Sequence, residues 1–150
     1  MLSAIISGYS SAYIWSMNIA IRNVFGIDRP LKVGIVDDSK LIRDKIREYL
    51  AVLPAVSVVG EAEDVHGGIR MITNQNPDVV FLDIRLKDEN GMSILFFMKK
   101  ELPAIQVIMF SNSADSFYRR KFTESGCDYF LDKSMDFDRI PGIIDGILNS

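Results

Sequence analysis

Residues 78–83 have the sequence DVVFLD, in which four apolar residues stand between two aspartates. Valine and phenylalanine favour β-strands, and a run without a polar side is typical of a strand covered by helices on both faces. Asn76 and Pro77 precede the run and indicate that a helix ends there. The stretch therefore predicts a central parallel strand with Asp83 at its carboxyl end.

Short apolar runs of the same kind recur on both sides of this stretch. We predict further strands at residues 31–36, 56–62, 104–111 and 128–133. The segments between them have apolar residues at helical spacing. They predict helices from Ser39 to Pro54, over about 64–75, from Asn90 or Ser93 to 101, over about 115–125 with Gly126 as its cap, and over 137–148.

Five strand–helix units in succession predict an α/β fold, in which helices cover both faces of a parallel sheet. The first predicted helix illustrates the pattern, since its apolar residues recur every three or four positions. The stripe that we expect to face the sheet comprises Leu41, Ile42, Ile46, Tyr49, Leu50 and Leu53.

The composition limits the class of protein and of site. A chain of 150 residues with 48% hydrophobic and 25% charged residues is the size of one domain with a packed core. Its formal net charge of -3 gives no electrostatic support for direct nucleic-acid binding. Cys127 is the only cysteine and His66 the only histidine, which excludes an intrachain disulfide and metal sites built from several such residues.

The first thirty residues differ from the rest. Residues 1–21 carry no charged side chain and are long enough to span a membrane, but six serine and asparagine residues interrupt the run. Three interpretations are open. The segment is a loosely ordered extension, or is translated from a start codon upstream of the true one, for which Met17 is the next available methionine. Otherwise it is an amphipathic helix packed on the domain or a partner, or a membrane anchor. We predict an apolar extension over 1–30 and the functional domain over 31–150.

Polar residues stand at the carboxyl ends of four predicted strands. Asp37 and Asp38 follow the first, Asp83 the third, Ser111 the fourth and Lys133 the fifth. Because these ends meet at one edge of a parallel sheet, we expect the side chains to converge. Clustered carboxylates without histidine or cysteine favour Mg²⁺, and a lysine with a hydroxyl favours a phosphoryl anion. The pattern therefore predicts phosphoryl transfer to Asp83, followed by hydrolysis.

From residue 31 to residue 150 the chain closely resembles the receiver domain of bacterial response regulators. The resemblance rests on the acidic pair, on Asp83 followed eight residues later by Gly91, and on the hydroxyl and the lysine in order. The matching stretches are KVGIVDDSKLIRDKI, VVGEAED, PDVVFLDIRLKDENGMSIL, VIMFS and CDYFLDKS. The resemblance implies a doubly wound, flavodoxin-like (CheY-like) sheet in the order 2-1-3-4-5, flanked by five helices.

The resemblance also implies roles for the converging residues. Asp83 would take a phosphoryl group from a histidine kinase or a histidine phosphotransfer protein. Asp37 and Asp38 would hold Mg²⁺ with Asp83 and the backbone carbonyl of Arg85, and Asp38 would be the more direct ligand of the acidic pair.

The phosphoryl oxygens would be bound by Ser111 and Lys133. Phe130 matches the aromatic switch position of the family, although it lacks a tyrosine hydroxyl. Lys87 and Ser134 stand where many receivers have proline, so we expect a trans peptide after Lys133 and a different loop to orient it. Asn112 is bulkier than the usual residue and is expected to narrow access.

The predicted output follows from where the last helix ends, with Asn149 and Ser150 after it. We expect a stand-alone cytoplasmic switch that signals through protein contacts of its fourth helix, fifth strand and last helix, with homodimerisation possible and membrane contact only through residues 1–30. One alternative is a receiver fragment of a larger DNA-binding transcription regulator. Another is an aspartate-based Mg²⁺ phosphatase or phosphotransferase, which Arg85 disfavours because an acid would be needed two residues after Asp83.

Overall fold

Five parallel strands form the centre of the molecule. A computed structural model of the chain describes residues 10, 13, 17, 29–87, 89–112 and 116–150, the side chains of 116–118 excepted, so the predictions for residues 1–28 lie almost wholly outside the described residues. The strands are β1 Leu31–Val36, β2 Val56–Ala62, β3 Val79–Leu82, β4 Gln106–Ser111 and β5 Tyr129–Asp132. Their order in the sheet is β2-β1-β3-β4-β5, which confirms the predicted order and the central place of β3.

Five helices connect the strands in the described stretch from residue 29 onward. They are α1 Lys40–Ala51, α2 Val65–Gln75, α3 Met92–Glu101, α4 Ser116–Glu124 and α5 Ile140–Leu148. Ser39 caps α1 as predicted, since its Oγ accepts a hydrogen bond from the amide of Ile42 at 3.4 Å. Asn76 and Gly126, after α2 and α4, have positive φ angles of 45° and 98°, the left-handed conformation that ends helices.

The start of the last helix and one loop differ from the sequence prediction. The last helix was predicted to begin at Phe137, but Phe137–Arg139 form a 3₁₀ turn and α5 begins at Ile140, where Pro141 fits the first helical turn. A two-stranded antiparallel hairpin of Arg85–Leu86 and Glu89–Asn90 was not predicted. Its strands are two residues long, too short to produce an alternating pattern.

The two faces of the sheet bury separate apolar clusters. Helices α2, α3 and α4 cover one face, where Met71, Met98 and Phe122 contribute side chains from the three helices. Helices α1 and α5 cover the other face, where Ile46 and Ile144 pack on the alternate residues of the strands. Residues 79–82 of β3 are at most 1% exposed and alternate between the two clusters, as expected of a strand covered on both sides.

Leu41 does not belong to the buried stripe of α1, contrary to the sequence prediction, because its side chain is 76% exposed. The buried positions of the helix are Ile46 and Leu50, with Ile42 partly buried against them. Leu41 is one residue, about 100° of helical rotation, away from Ile42, which turns it off this face.

Arg29 fastens the chain before β1 to the start of β3. Its Nη1 and Nη2 donate to the two carboxylate oxygens of Asp78 at 2.6 and 2.7 Å, and Asp78 Oδ2 also accepts from the amide of Lys32 at 2.8 Å. The hydrogen bond from Arg29 lowers the pKa of Asp78. No helix among the described residues is long and apolar enough to cross a membrane.

Replacing Arg29 with alanine is expected to lower the free energy of unfolding by about 0.5–1 kcal/mol near pH 7, since the Arg29 side chain is 61% exposed and solvent screens the pair. Because the pKa of Asp78 is depressed in the folded state, this stabilisation is present above the unfolded pKa of about 4 and is lost as the pH falls through the folded value. Urea denaturation of both proteins at pH 7 and at about pH 3 measures the difference. Arg120→Ala, at an exposed position of α4, is the charge-matched control, and an Arg29 effect that does not change with pH would contradict the assignment.

Candidate functional site

All five polar residues predicted to converge lie at the carboxyl edge of the sheet. A cleft of about 600 Å³ opens there, between the loops that follow β1, β3, β4 and β5. Its walls are formed by Asp38, Ser39, Ile42, Asp83, Arg85, Ser111, Asn112 and Lys133. Asp37 does not line the cleft and is 2% exposed, so it is buried beside the other two carboxylates.

Three carboxylates form the acidic part of the site. One oxygen from each of Asp37, Asp38 and Asp83 lies within 4.8 Å of the others. Asp37 and Asp83 are buried, whereas Asp38 is exposed at the rim. This proximity follows from the parallel register, in which Val36 of β1 lies beside Leu82 of β3 and the acids continue the two strands.

Lys133 provides a positive charge inside this cluster. Its Nζ lies 2.5 Å from Asp37 Oδ2 and 2.9 Å from Asp83 Oδ2, and its side chain is 6% exposed. Burial disfavours the charged ammonium, but the hydrogen bonds to the two carboxylates outweigh burial and raise the pKa of Lys133. Burial, together with repulsion from Asp37, raises the pKa of Asp83 despite its bond to Lys133. A further cation in the cleft would therefore favour the ionised form of Asp83.

The two members of the acidic pair have different surroundings. Asp37 Oδ1 accepts from the amide of Ser39 at 2.9 Å while its Oδ2 contacts Lys133, so both oxygens are engaged. Its carbonyl oxygen also accepts from Arg43 Nη1 at 2.6 Å. Asp38 lines the open cleft, and its Oδ2 lies 3.4 Å from the amide of Lys87. Asp38 is thus the better placed of the two to contact an ion entering from solvent.

The loop from Asp83 to Gly91 is folded tightly against itself. The amide of Gly91 donates to the carbonyl of Ile84 at 2.6 Å, and the amide of Arg85 lies 3.3 Å from Asp83 Oδ1. A Cβ atom added at Gly91 would lie 2.1 Å from the carbonyl oxygen of Asp83. Glycine at this position is therefore required by the close approach of two backbone segments. Arg85 lines the cleft as expected, and the role of its carbonyl stays a prediction.

Ser111 and Phe130 occupy the neighbouring strands β4 and β5, where Ser111 lies at the carboxyl edge and Phe130 lies opposite Met109, two residues before Ser111. Ser111 is the last residue of β4 and is 2% exposed, and its carbonyl accepts from the amide of Lys133 at 3.0 Å. The Phe130 ring is buried and stacks on Phe122 of α4, with ring centroids 6.0 Å apart. The guanidinium of Arg119 lies 5.3 Å from the Phe130 centroid. The predicted switch residue thus contacts the helix beside it through packing and a cation–π contact.

The positions without the expected prolines are held in other ways. Lys87 has a φ angle of 43°, and its Nζ lies 2.8 Å from Glu63 Oε1. No cis peptide bond occurs in the described residues, which confirms the expected trans peptide between Lys133 and Ser134. Asn112 is exposed and lines the cleft, and its narrowing of access stays a prediction.

Sequence reasoning missed two groups that support the site. One is Arg43, which joins the loop after β1 to Glu61 at 3.3 Å. The other is Asp132, a 4% exposed carboxylate that was counted as part of the last strand. The signal that could have identified it is the order Asp132-Lys133-Ser134, since an aspartate commonly bonds to the backbone two residues later in a turn.

Comparison with known proteins decides the family. The family model described as the response regulator receiver domain matches residues 33–145. The chain belongs to this family. Its solved relatives confirm the fold of the receiver. The isolated REC domain of RcsB from Salmonella enterica serovar Typhimurium has a TM-score of 0.75 at 19% identity, over 81% of this chain and 91% of that one. The response regulator domain of Thermotoga maritima CheB has a TM-score of 0.70 at 26% identity, over 81% and 96%.

Curated relatives of the receiver are longer proteins. Sensory transduction protein LytT of Bacillus cereus is 36% identical over 110 residues, which are 73% of this chain and 44% of LytT. Transcriptional regulatory protein DegU of Brevibacillus brevis is 27% identical over 113 residues, which are 75% of this chain and 48% of DegU. The matched region thus spans rather less than half the length of these two curated relatives.

Proposed function

We propose that this receiver domain accepts a phosphoryl group on Asp83 and signals by the conformational change that follows. The observation that carries the proposal is the setting of Asp83, a buried carboxylate in the wall of an open cleft, 2.9 Å from an ammonium and close to two further carboxylates. A carboxylate that were only structural would not need access to a cleft.

The reaction transfers a phosphoryl group from a histidine nitrogen to a carboxylate oxygen of Asp83. A carboxylate oxygen of Asp83 attacks the phosphorus of a phosphohistidine on a histidine kinase or a histidine phosphotransfer protein. The P–N bond breaks, its electron pair returns to the imidazole, and an acyl phosphate remains on Asp83. Lys133 and Ser111 would bind the transferred phosphoryl oxygens. Attack of water on phosphorus would later release inorganic phosphate and restore the carboxylate.

The donor set at the cleft fits Mg²⁺. The clustered side-chain donors of Asp37, Asp38 and Asp83 are all oxygens, the ligands that this hard cation prefers. Asp38, Asp83 and the carbonyl of Arg85 would hold the ion. Asp37 would add its negative charge beside them. Bound there, Mg²⁺ would neutralise the carboxylates and the charge that develops on the phosphoryl oxygens.

The signal would leave through the face made by α4, β5 and α5. Phe130 belongs to β5, next to the strand that ends at Ser111, and its ring contacts Phe122 and Arg119 of α4. Ser111 ends β4, the strand between β3 and β5. Phosphorylation of Asp83 would draw Ser111 toward the phosphoryl group and change the packing around Phe130 on β5. The partner at this face would be a downstream protein or a second copy of the chain. A single thiol such as Cys127 suits the reducing cytoplasm, where we place the receiver.

A second candidate is the receiver module of a longer transcription regulator. The observation in its favour is that the match covers 48% of the transcriptional regulatory protein DegU. An aspartate-based phosphatase gains no such support from the cleft, because Arg85 and not an acid stands two residues after Asp83.

The test is phosphorylation by a small donor. Incubation with acetyl phosphate and Mg²⁺ is expected to add one acid-stable, hydroxylamine-labile phosphoryl group to the intact chain, measured by mass spectrometry. Asp83→Asn should abolish the addition, since an amide is a poor nucleophile. Asp44→Asn, at an exposed acid of α1, is the matched control and should leave it intact. An unchanged mass in the wild-type protein, or continued labelling of Asp83→Asn, would refute the proposal.

A further inference from the structure

The loop after β5 is closed by the side chains on either side of Lys133. Asp132 Oδ1 accepts from the amide of Ser134 at 2.7 Å and from its hydroxyl at 2.5 Å. In return, the amide of Asp132 donates to Asp136 Oδ2 at 2.9 Å, and the amide of Asp136 donates to the carbonyl of Asp132 at 2.9 Å. Residues 132–136 therefore form a reciprocally bonded turn with Lys133 inside it.

The hydrogen bonds from Ser134 outweigh the burial of Asp132 and lower the pKa of its carboxylate. A carboxylate that is 4% exposed is unfavourable unless hydrogen bonds compensate for lost water. Its Oδ1 receives both Ser134 donors, so the charge is stabilised by the residue that follows Lys133. A neutral residue would fill the same place in a strand end without this requirement.

The turn acts on Lys133 because a lysine side chain has four flexible bonds and reaches its target only from a fixed backbone. On one side, the amide of Lys133 is held by the carbonyl of Ser111 at 3.0 Å. On the other side, Ser134 is held by Asp132. No ring constrains the peptide bond after Lys133, since residue 134 is serine, so these hydrogen bonds set the direction of the chain.

We infer that Asp132 is a positioning residue, whose carboxylate holds Ser134 so that the ammonium of Lys133 is aimed at Asp83 and at an incoming phosphoryl group. The expected effect on phosphorylation rests on the proposed function, because a misplaced Lys133 ammonium would stabilise the reaction less and slow it. The structural part of the inference, the ordering of the ammonium, is independent of any phosphorylation.

The first measurement is the ¹⁵N NMR signal of the Lys133 ammonium in the full chain, assigned by its loss in Lys133→Met. An ammonium buried between two carboxylates exchanges its protons slowly enough to be seen near neutral pH. Asp132→Ala is expected to remove or broaden this signal, and Asp132→Asn, whose Oδ1 can still accept from Ser134, to retain it. Thermal unfolding of each variant shows whether the fold is intact.

The second measurement is the rate of phosphorylation by acetyl phosphate with Mg²⁺. Asp132→Ala should lower the rate about tenfold or more, and Asp132→Asn should keep it within about twofold. In the Lys133→Ala background, Asp132→Ala should have no further effect, since it acts through Lys133. A merely structural role would slow both backgrounds alike.

Ser134→Ala serves if Asp132→Ala does not fold. It deletes the hydroxyl and keeps the backbone donor, so it should broaden the ammonium signal and lower the rate less. The inference would be overturned if Asp132→Ala and Ser134→Ala both kept the full ammonium signal and the full rate of phosphorylation. If Asp132→Ala is unfolded, the same result in Ser134→Ala alone would overturn it. A wild-type protein that takes no phosphoryl group would instead refute the proposed function, and the NMR signal would still decide the positioning.

Discussion

Replacing Gly91 with alanine is expected to destabilise the receiver by more than about 3 kcal/mol and to abolish phosphorylation of Asp83. The new Cβ would lie 2.1 Å from the carbonyl oxygen of Asp83, 3.1 Å from its carbonyl carbon and 3.3 Å from the Cα of Ile84. These are backbone atoms directly after β3, so no side chain can rotate to make room. The loop must open, and Asp83 must move with it.

The matched control is Gly142→Ala, on α5, where an added Cβ meets nothing within 4 Å. Alanine is a better helix former than glycine, so this variant should be as stable as the wild-type protein or gain up to about 1 kcal/mol. Urea denaturation gives both changes in free energy with the opposite sign. If Gly91→Ala stays within about 0.5 kcal/mol of the wild-type protein, the close approach of the two segments is not the reason for glycine there.

Lys133→Met is expected to cost about 3–5 kcal/mol of stability and to slow phosphorylation by about a hundredfold or more. Methionine fills a similar space but leaves Asp37 and Asp83 buried, 2% and 5% exposed, without the ammonium that separates their charges. Adding Asp83→Asn to this variant removes one of the two charges and should recover a large part of the lost stability.

Urea denaturation of the two single variants and the double variant measures this coupling. Lys40→Met is the control, since Lys40 pairs with Asp44 at the surface with 79% of its side chain exposed, and its loss should change stability by about 0.5 kcal/mol or less. If Asp83→Asn destabilises the Lys133→Met protein further, the buried carboxylates do not repel one another as the geometry implies.

The sheet and the cleft could be predicted because both follow from one regular pattern. Strands β1 and β2 have the predicted bounds: β1 lies between Pro30 and Asp37, and β2 ends before Glu63. Once the strands are parallel, residues that follow them must meet at one edge. The convergence of Asp83 with Lys133, 50 residues apart in the chain, therefore required no knowledge of contacts.

The features that could not be predicted depend on contacts rather than on periodicity. The exposure of Leu41 is set by where α1 settles on the sheet, which a helical stripe specifies only to within a residue. The order Asp132-Lys133-Ser134 is compatible with a turn, but the sequence does not show that Asp132 is buried or that its carboxylate accepts from Ser134. The hairpin of Arg85–Leu86 and Glu89–Asn90 has strands of only two residues, which leave no period in the sequence.

The two apolar clusters differ in the types of side chain that fill them. All four buried methionines of the described residues, Met71, Met92, Met98 and Met109, lie on the face covered by α2, α3 and α4. The opposite face stacks rings, with Phe110 and Phe137 4.7 Å apart edge to face. Thioether chains change rotamer at little cost, whereas packed rings have few alternatives. Phe130 lies in the methionine-rich cluster, so we expect that repacking around it costs less than repacking of the ring-rich cluster on the opposite face.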